Sequence, residues 1–128
     1  QGVVKIVKLN DMGRLFFIAL ITDNELKLRA HDSHIEFLRL SSDGQYLATA
    51  SQKGTLIRVY DLSSLNQQKS VQKTKEFRRG TSSKIIRDIC FGYENEFLSV
   101  SSNSETIHVF FFKEDNIKSR FNVLGFMN

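Results

Sequence analysis

The chain has 128 residues, a formal net charge of +4, and 41% hydrophobic and 25% charged residues. That balance fits one globular domain and excludes a disordered or collagen-like chain. No apolar run approaches the roughly 18 residues of a membrane-spanning helix. Gln1-Gly2-Val3-Val4-Lys5 lacks both an initiator Met and a signal-peptide pattern, so the start reads as a cut inside a longer chain. The one cysteine, Cys90, excludes an internal disulfide framework and fits a reducing compartment; between Ile89 and Phe91 it is expected in the core.

In chain order, residues 3–9 are β-branched and run into Asn10-Asp11-Met12-Gly13, a strand followed by a turn. Leu15 to Thr22 is a second strand, apolar almost throughout and so expected to be buried on both faces. Asp23-Asn24 makes a turn before a short strand over Glu25 to Arg29. His34 to Leu40 is a strand, Ser41-Ser42-Asp43-Gly44 a turn, Gln45 to Ser51 a strand, Gln52-Lys53-Gly54 a tight turn and Thr55 to Leu62 a strand. Ser63 to Ser70 is polar loop, and Lys73 to Arg79 supplies a fourth, outer strand.

The pattern then returns. Ile85 to Phe91 is a strand, Gly92-Tyr93-Glu94-Asn95 a turn, Glu96 to Ser102 a strand, Asn103-Ser104-Glu105 a turn and Thr106 to Phe112 a strand. Leu47-Ala48-Thr49-Ala50-Ser51 lines up with Leu98-Ser99-Val100-Ser101-Ser102. Ile57-Arg58-Val59-Tyr60 matches Ile107-His108-Val109-Phe110 after a one-residue slip in the turn. A period of roughly 40 to 50 residues with four short strands per unit is that of a β-propeller, an all-β fold. The units divide as 1–29, the end of one blade; 30–80, a full blade with its outer strand; 81–112, the next blade; and 113–128, a loop or the start of a following strand. About two and a half blades do not close a ring of four to eight, so a piece of a larger propeller is expected.

Lys69, Lys73, Lys75, Arg78, Arg79, Lys84 and Arg87 form a basic block opposed only by Glu76 and Asp88. It favours an anionic partner: lipid headgroups, nucleic acid or an acidic protein surface. Within it, Glu76-Phe77-Arg78-Arg79-Gly80-Thr81 ends a strand. Successive side chains of a strand point to opposite faces, so Arg78 and Arg79 reach into two places rather than clamping one ligand. Two planar guanidiniums aimed apart suit two phosphate-bearing ligands; the alternative is a solvated pair that guards an edge strand.

Ala30-His31-Asp32-Ser33-His34-Ile35, Leu47 to Val59, Phe77-Arg78-Arg79-Gly80 and Ser101 to Phe110 together resemble the PROPPINs, the WIPI proteins of animals and their yeast autophagy relatives. The resemblance implies a WD-repeat β-propeller of seven blades that binds phosphatidylinositol 3-phosphate and the 3,5-bisphosphate on membranes. It also implies two headgroup pockets on successive blades. The first falls on His31, Ser51, Thr55, Arg58 and Arg78, with Lys53 added from its place in the turn. The second falls on Arg79, Ser101 or Ser102, Thr106 and His108.

The residue types suit a phosphate monoester, with cations for charge and hydroxyls for short rotatable donors. Thr106 and His108 share a strand face, with Ile107 and Val109 expected toward the core; Thr55 and Arg58 fall on opposite faces unless the strand bulges. The serines alternatively serve their turns, and His31 alternatively makes a structural hydrogen bond within a blade. The family's membrane-inserting loop would follow Phe112, where 113–128 offers either its start or a next strand.

No metal site is completed by His31 and His34, no cofactor is implied, and no nucleophile–base arrangement appears, so the chain is expected not to be an enzyme. The partners implied are a phosphoinositide-bearing membrane surface and autophagy proteins, with the full-length protein monomeric and peripheral on autophagosomal, endosomal or vacuolar membranes from the cytoplasm. A scaffold propeller that docks an acidic protein without lipid is the competing function. Nucleic acid is not expected, since the stacking platform and base-reading motif are missing.

Overall fold

The structure, a computed structural model, describes residues 3–11, 14–19, 26–63 and 71–112. They form ten strands and one short 3-10 turn: β1 (Val3–Asp11), β2 (Arg14–Ala19), β3 (Leu26–Arg29), β4 (Ile35–Leu40), β5 (Tyr46–Ser51), β6 (Leu56–Asp61), β7 (Gln72–Arg78), β8 (Ile86–Phe91), the turn Tyr93–Asn95, β9 (Phe97–Ser102) and β10 (Ile107–Phe111). The strands make three antiparallel sheets, ordered β2-β1-β3, β4-β5-β6-β7 and β10-β9-β8. The expected turn at Asp23-Asn24, most of the Ser63–Ser70 loop and the tail after Phe112 lie outside the described residues.

Local chemistry sets the hairpins. Asp43 accepts hydrogen bonds from Ser41 Oγ at 2.6 Å and from the Gln45 amide at 3.0 Å, closing the turn between β4 and β5. Gly54 has φ +61°, a left-handed conformation that costs glycine little, and its amide donates to the Ser51 carbonyl at 2.9 Å. A bulge between Val59 and Tyr60 in the β6–β7 ladder resets the parity of β7, so that Arg78 pairs with Leu56, Phe77 with Ile57 and Glu76 with Arg58.

The second sheet is covered on both faces. One face offers Ala48, Ala50, Ile57 and Val59 to Ile86, Ile89, Leu98 and Val100 of the third sheet and to Phe112 just beyond it. The other offers Leu47 and Tyr60 to a cluster that holds Ala30, Leu62 and, from β3, Leu28. Aromatic rings seal the junction of the second and third sheets: Phe77 stacks on Phe110 at 5.0 Å, and Tyr46 meets Phe112 edge-on at 4.7 Å.

Polar latches join the same two sheets at their first strands. Arg39 Nε donates to the Ile89 carbonyl at 2.8 Å and its Nη2 to Asp88 Oδ1 at 2.6 Å. Asn95 Nδ2 donates to Asp43 Oδ2 at 2.8 Å. Glu94 and Asn95 both take positive φ, which turns the Asn95 amide side chain back toward the preceding sheet.

Two expectations are corrected. Ile107 and Val109 do not face the core: they are 71% and 51% exposed, with Phe111 beside them. Cys90 is exposed too, its thiol 3.3 Å from Asp88 Oδ2. The physical reason is one of face: Cys90 pairs with Ser99 and Ser99 with Val109, placing them on the side of the third sheet opposite Val100 and His108. Among the described residues nothing covers that side.

Candidate functional site

Arg78 and Arg79 end β7, the outer strand, where its ladder with β6 runs out. The Arg79 amide still donates to the Thr55 carbonyl at 2.8 Å, one step beyond the Leu56–Arg78 pair. Alternation therefore carries past the last paired residue. Arg78 is exposed, on the face of Leu56, Arg58 and Glu76. Arg79 is buried on the opposite face with Phe77; its Nε donates to the Gly54 carbonyl and its Nη2 to the Ser82 carbonyl. These bonds hold the second guanidinium against the Gln52-Lys53-Gly54 hairpin, where the cleft between the second and third sheets begins.

Of the residues expected around Arg78, His31, Ser51 and Arg58 gather on one side, whereas Thr55 and Lys53 do not. Thr49 pairs with Arg58, so Thr49, Ser51, Arg58 and Leu56 share the side that looks toward Ala30 and His31. Arg58 Nη1 donates to the Ala30 carbonyl at 2.6 Å, and its Nε lies 3.5 Å from Glu76 Oε2. The parity difference between Thr55 and Arg58 is resolved in favour of Arg58, which shares the Arg78 face, the register shift falling beyond it between Val59 and Tyr60. Thr55 meets the site through its backbone carbonyl, which accepts from Arg79, and Lys53 is exposed at the hairpin tip, its carbonyl accepting from the Lys84 amide at 3.0 Å.

His31 is buried and its Nε2 is 2.9 Å from Thr49 Oγ1, the structural bond foreseen as its alternative. Burial first, and the neighbouring Arg58 guanidinium second, push its pKa below the usual histidine value, so the ring is neutral at neutral pH.

The residues expected around Arg79 divide. Ser102, Val100 and Leu98 line the β9 face that meets the second sheet, with His108 opposite Val100 and Phe110 opposite Leu98. Ser102, Thr106 and His108 thus belong to the cleft side, whereas Ser101, paired with Ile107, points to the uncovered side. His108 lies 6.0 Å from the Phe110 ring, nearly parallel to it, and its Nδ1 is buried without a hydrogen-bond partner.

Three residues outside the expected set belong here. Ser104 links the others in a hydroxyl ladder, 2.7 Å from Ser102 Oγ and 3.2 Å from Thr106 Oγ1. Thr49 carries His31. Glu76 bridges Arg58 and Lys73, the latter at 2.5 Å. The signal for Ser104 was its two-residue spacing from both neighbours; that for Glu76 was its isolation inside the basic block.

Known proteins share the sequence and fold of this chain. The PROPPIN family model matches residues 17–123. Autophagy-related protein 18 of Kluyveromyces lactis is 36% identical over 121 residues, 94% of this chain and 23% of that protein. The protein of the same name from Dictyostelium discoideum is 41% identical over 99 residues, 77% of this chain and 25% of that one. The chain thus spans at most about a quarter of the curated relatives it matches.

Among solved structures, Kluyveromyces lactis Hsv2 superposes with a TM-score of 0.61 at 33% identity, over 74% of this chain and 30% of that one. A complex of KlAtg21 with the coiled-coil of AgAtg16 superposes with a TM-score of 0.60 at 37% identity, over 68% of this chain and 27% of that one. The three sheets are therefore part of a WD-repeat β-propeller, and the chain belongs to the PROPPIN family.

Proposed function

We propose that the whole protein is a non-catalytic phosphoinositide-binding propeller. It carries two headgroup sites around the junction of blades 30–80 and 81–112, and recognises phosphatidylinositol 3-phosphate and the 3,5-bisphosphate. The observation that carries this reading is the placement of adjacent arginines on opposite sheet faces, Arg78 exposed and Arg79 held against the Gln52-Lys53-Gly54 hairpin. The first site comprises Arg78 and Arg58 with Ser51 and Lys53, and His31 on the same side; Thr55, on the other face, is set aside. The second comprises Arg79, Ser102, Thr106 and His108 with Ser104 between the hydroxyls; Ser101, on the other face, is set aside.

Buried Arg79 orders the hairpin through backbone carbonyls, while exposed Arg78 offers its fork outward; a phosphate monoester, with close to two charges and strong acceptor oxygens, matches both groups. Two modest contacts on one rigid body give avidity on a membrane without a single tight pocket. The membrane-inserting loop of the resemblance would follow Phe112.

The Atg21 neighbour was solved with a coiled-coil of Atg16, which favours an autophagy protein as the recruited partner. The place of action is then the cytoplasmic surface of autophagosomal, endosomal or vacuolar membranes. Flotation of the full-length protein with vesicles containing the 3-phosphate lipid tests the reading. Binding is expected for the wild type and loss is expected for R78T/R79T. Equal binding to every acidic vesicle would leave only unspecific electrostatics. Absence of vesicle binding with protein partners retained would favour the lipid-free scaffold.

A further inference from the structure

The candidate site around Arg78 contains its own anion. Glu76 stands directly across the ladder from Arg58, with Oε2 3.5 Å from Arg58 Nε and 2.5 Å from Lys73 Nζ. Arg78, two residues on, shares the face and adds its own attraction to the carboxylate. The Lys73 bond above all holds the Glu76 carboxyl below its usual range; burial opposes it, and the Arg58 and Arg78 guanidiniums add to the lowering, so the group is ionised at neutral pH. Its side chain remains 32% exposed. A neutral residue there would serve the strand as well, and β-sheets disfavour Glu.

We propose that Glu76 is a resident counter-ion that sets which anion the site accepts. It tunes the Arg58–Lys73–Arg78 cluster to hold a dianionic phosphomonoester while giving little to a monoanionic phosphodiester headgroup. The inference rests on the phosphoinositide reading and names a selectivity determinant within it.

Charge carries the reasoning. Three cations against one carboxylate leave two net positive charges, a match for the charge of nearly two on a phosphate monoester. An ordinary acidic lipid brings a single charge and must meet a cluster already partly neutralised. The monoester also brings three strong acceptor oxygens, enough to draw Lys73 and Arg78 while Glu76 keeps Arg58 placed beside the Ala30 carbonyl.

The test uses the full-length protein and Glu76→Gln, which preserves shape and the acceptor oxygen while removing the charge. Glu76→Thr supplies a second neutral variant should the first not fold, and Glu76→Asp retains the charge. Each is floated with phosphatidylcholine vesicles carrying either the 3-phosphate lipid or enough phosphatidylserine to equal its total charge. The neutral variants are expected to bind phosphatidylserine vesicles about two- to fivefold more tightly, the worth of one partly exposed charge pair. Their preference for the 3-phosphate lipid should fall by a similar factor, and Glu76→Asp should keep the wild-type ratio.

A preference unchanged in a folded neutral variant overturns the inference and leaves the phosphoinositide reading standing. So does an equal loss of binding to both vesicles, which would make Glu76 merely a positioning group. A wild type with no preference for the 3-phosphate lipid overturns the reading itself, and the role of Glu76 with it.

Discussion

Replacing Gly54 by Ala tests how the hairpin that carries Lys53 is locked to the next blade. The residue sits at φ +61°, and a Cβ there would lie 1.9 Å from the Lys84 carbonyl oxygen and 3.0 Å from its carbon. The left-handed backbone alone costs an alanine about 1–2 kcal/mol. The contact with a backbone carbonyl cannot be relieved by a side-chain rotation, so hairpin and strand must part. Parting first breaks the Lys84 amide bond to the Lys53 carbonyl, 3.0 Å in length and worth about 1 kcal/mol.

If the displacement also frees the Gly54 carbonyl from the Arg79 guanidinium, a charged hydrogen bond worth about 1.5–3 kcal/mol goes with it. The expected loss is about 3 kcal/mol, rising to about 5 kcal/mol if Arg79 is released. Urea unfolding of the full-length protein followed by circular dichroism measures it. Gly80→Ala is the internal control: its Cβ would meet nothing within 4 Å, and it should change stability by no more than about 0.5 kcal/mol. A Gly54→Ala protein within about 0.5 kcal/mol of wild type, or a control as damaged as the test, would refute the lock.

Three further outcomes are expected. Arg39→Met should cost about 1–2 kcal/mol in urea unfolding, mostly through the lost bond to the Ile89 carbonyl, because the Asp88 partner is about half exposed and such pairs contribute little. Arg79→Lys should lose about 1–3 kcal/mol, since one ammonium cannot reproduce the planar fork that spans the Gly54 and Ser82 carbonyls; an unchanged unfolding midpoint would deny that role. His31 has a folded pKa below the ordinary histidine value of 6.5, so the unfolded chain binds more protons between those two values. Its contribution is whole above pH 6.5 and is lost as pH falls toward the folded pKa, at no more than about 1.4 kcal/mol per pH unit for one proton. His31→Gln should remove that part of the slope in unfolding measured from pH 7.5 to 5.5; identical slopes would show that the ring titrates normally.

How much of this was legible in the sequence depends on whether a feature is local. The strands, the turns at Asp43 and Gly54 and the repeat of one unit in the next follow from β-branched runs and turn residues; in the second and third sheets the strand ends differ from the expected ones by at most one residue, while β1 runs two residues further, through the expected turn residues Asn10 and Asp11. The separation of Arg78 from Arg79 follows from period-two alternation, which survives because the Arg79 amide continues the ladder to Thr55. Alternation says which side chains share a face, but not what that face meets. Alternation groups Thr106 with His108, yet the face given to the core, that of Ile107 and Val109, is the uncovered one.

The same ambiguity put Cys90 inside and left Ser101 and Ser102 undecided; long-range packing of Val100 and Leu98 against the second sheet resolves all of them at once. Side-chain partners across strands were hidden for another reason. Glu76 finds Arg58 only because a bulge between Val59 and Tyr60 sets the β6–β7 register, and a bulge leaves little trace in composition. A basic block was therefore readable from residue types alone. Whether Glu76 within it is spectator or counter-ion is a property of register, and the Glu76 charge is where register becomes chemistry.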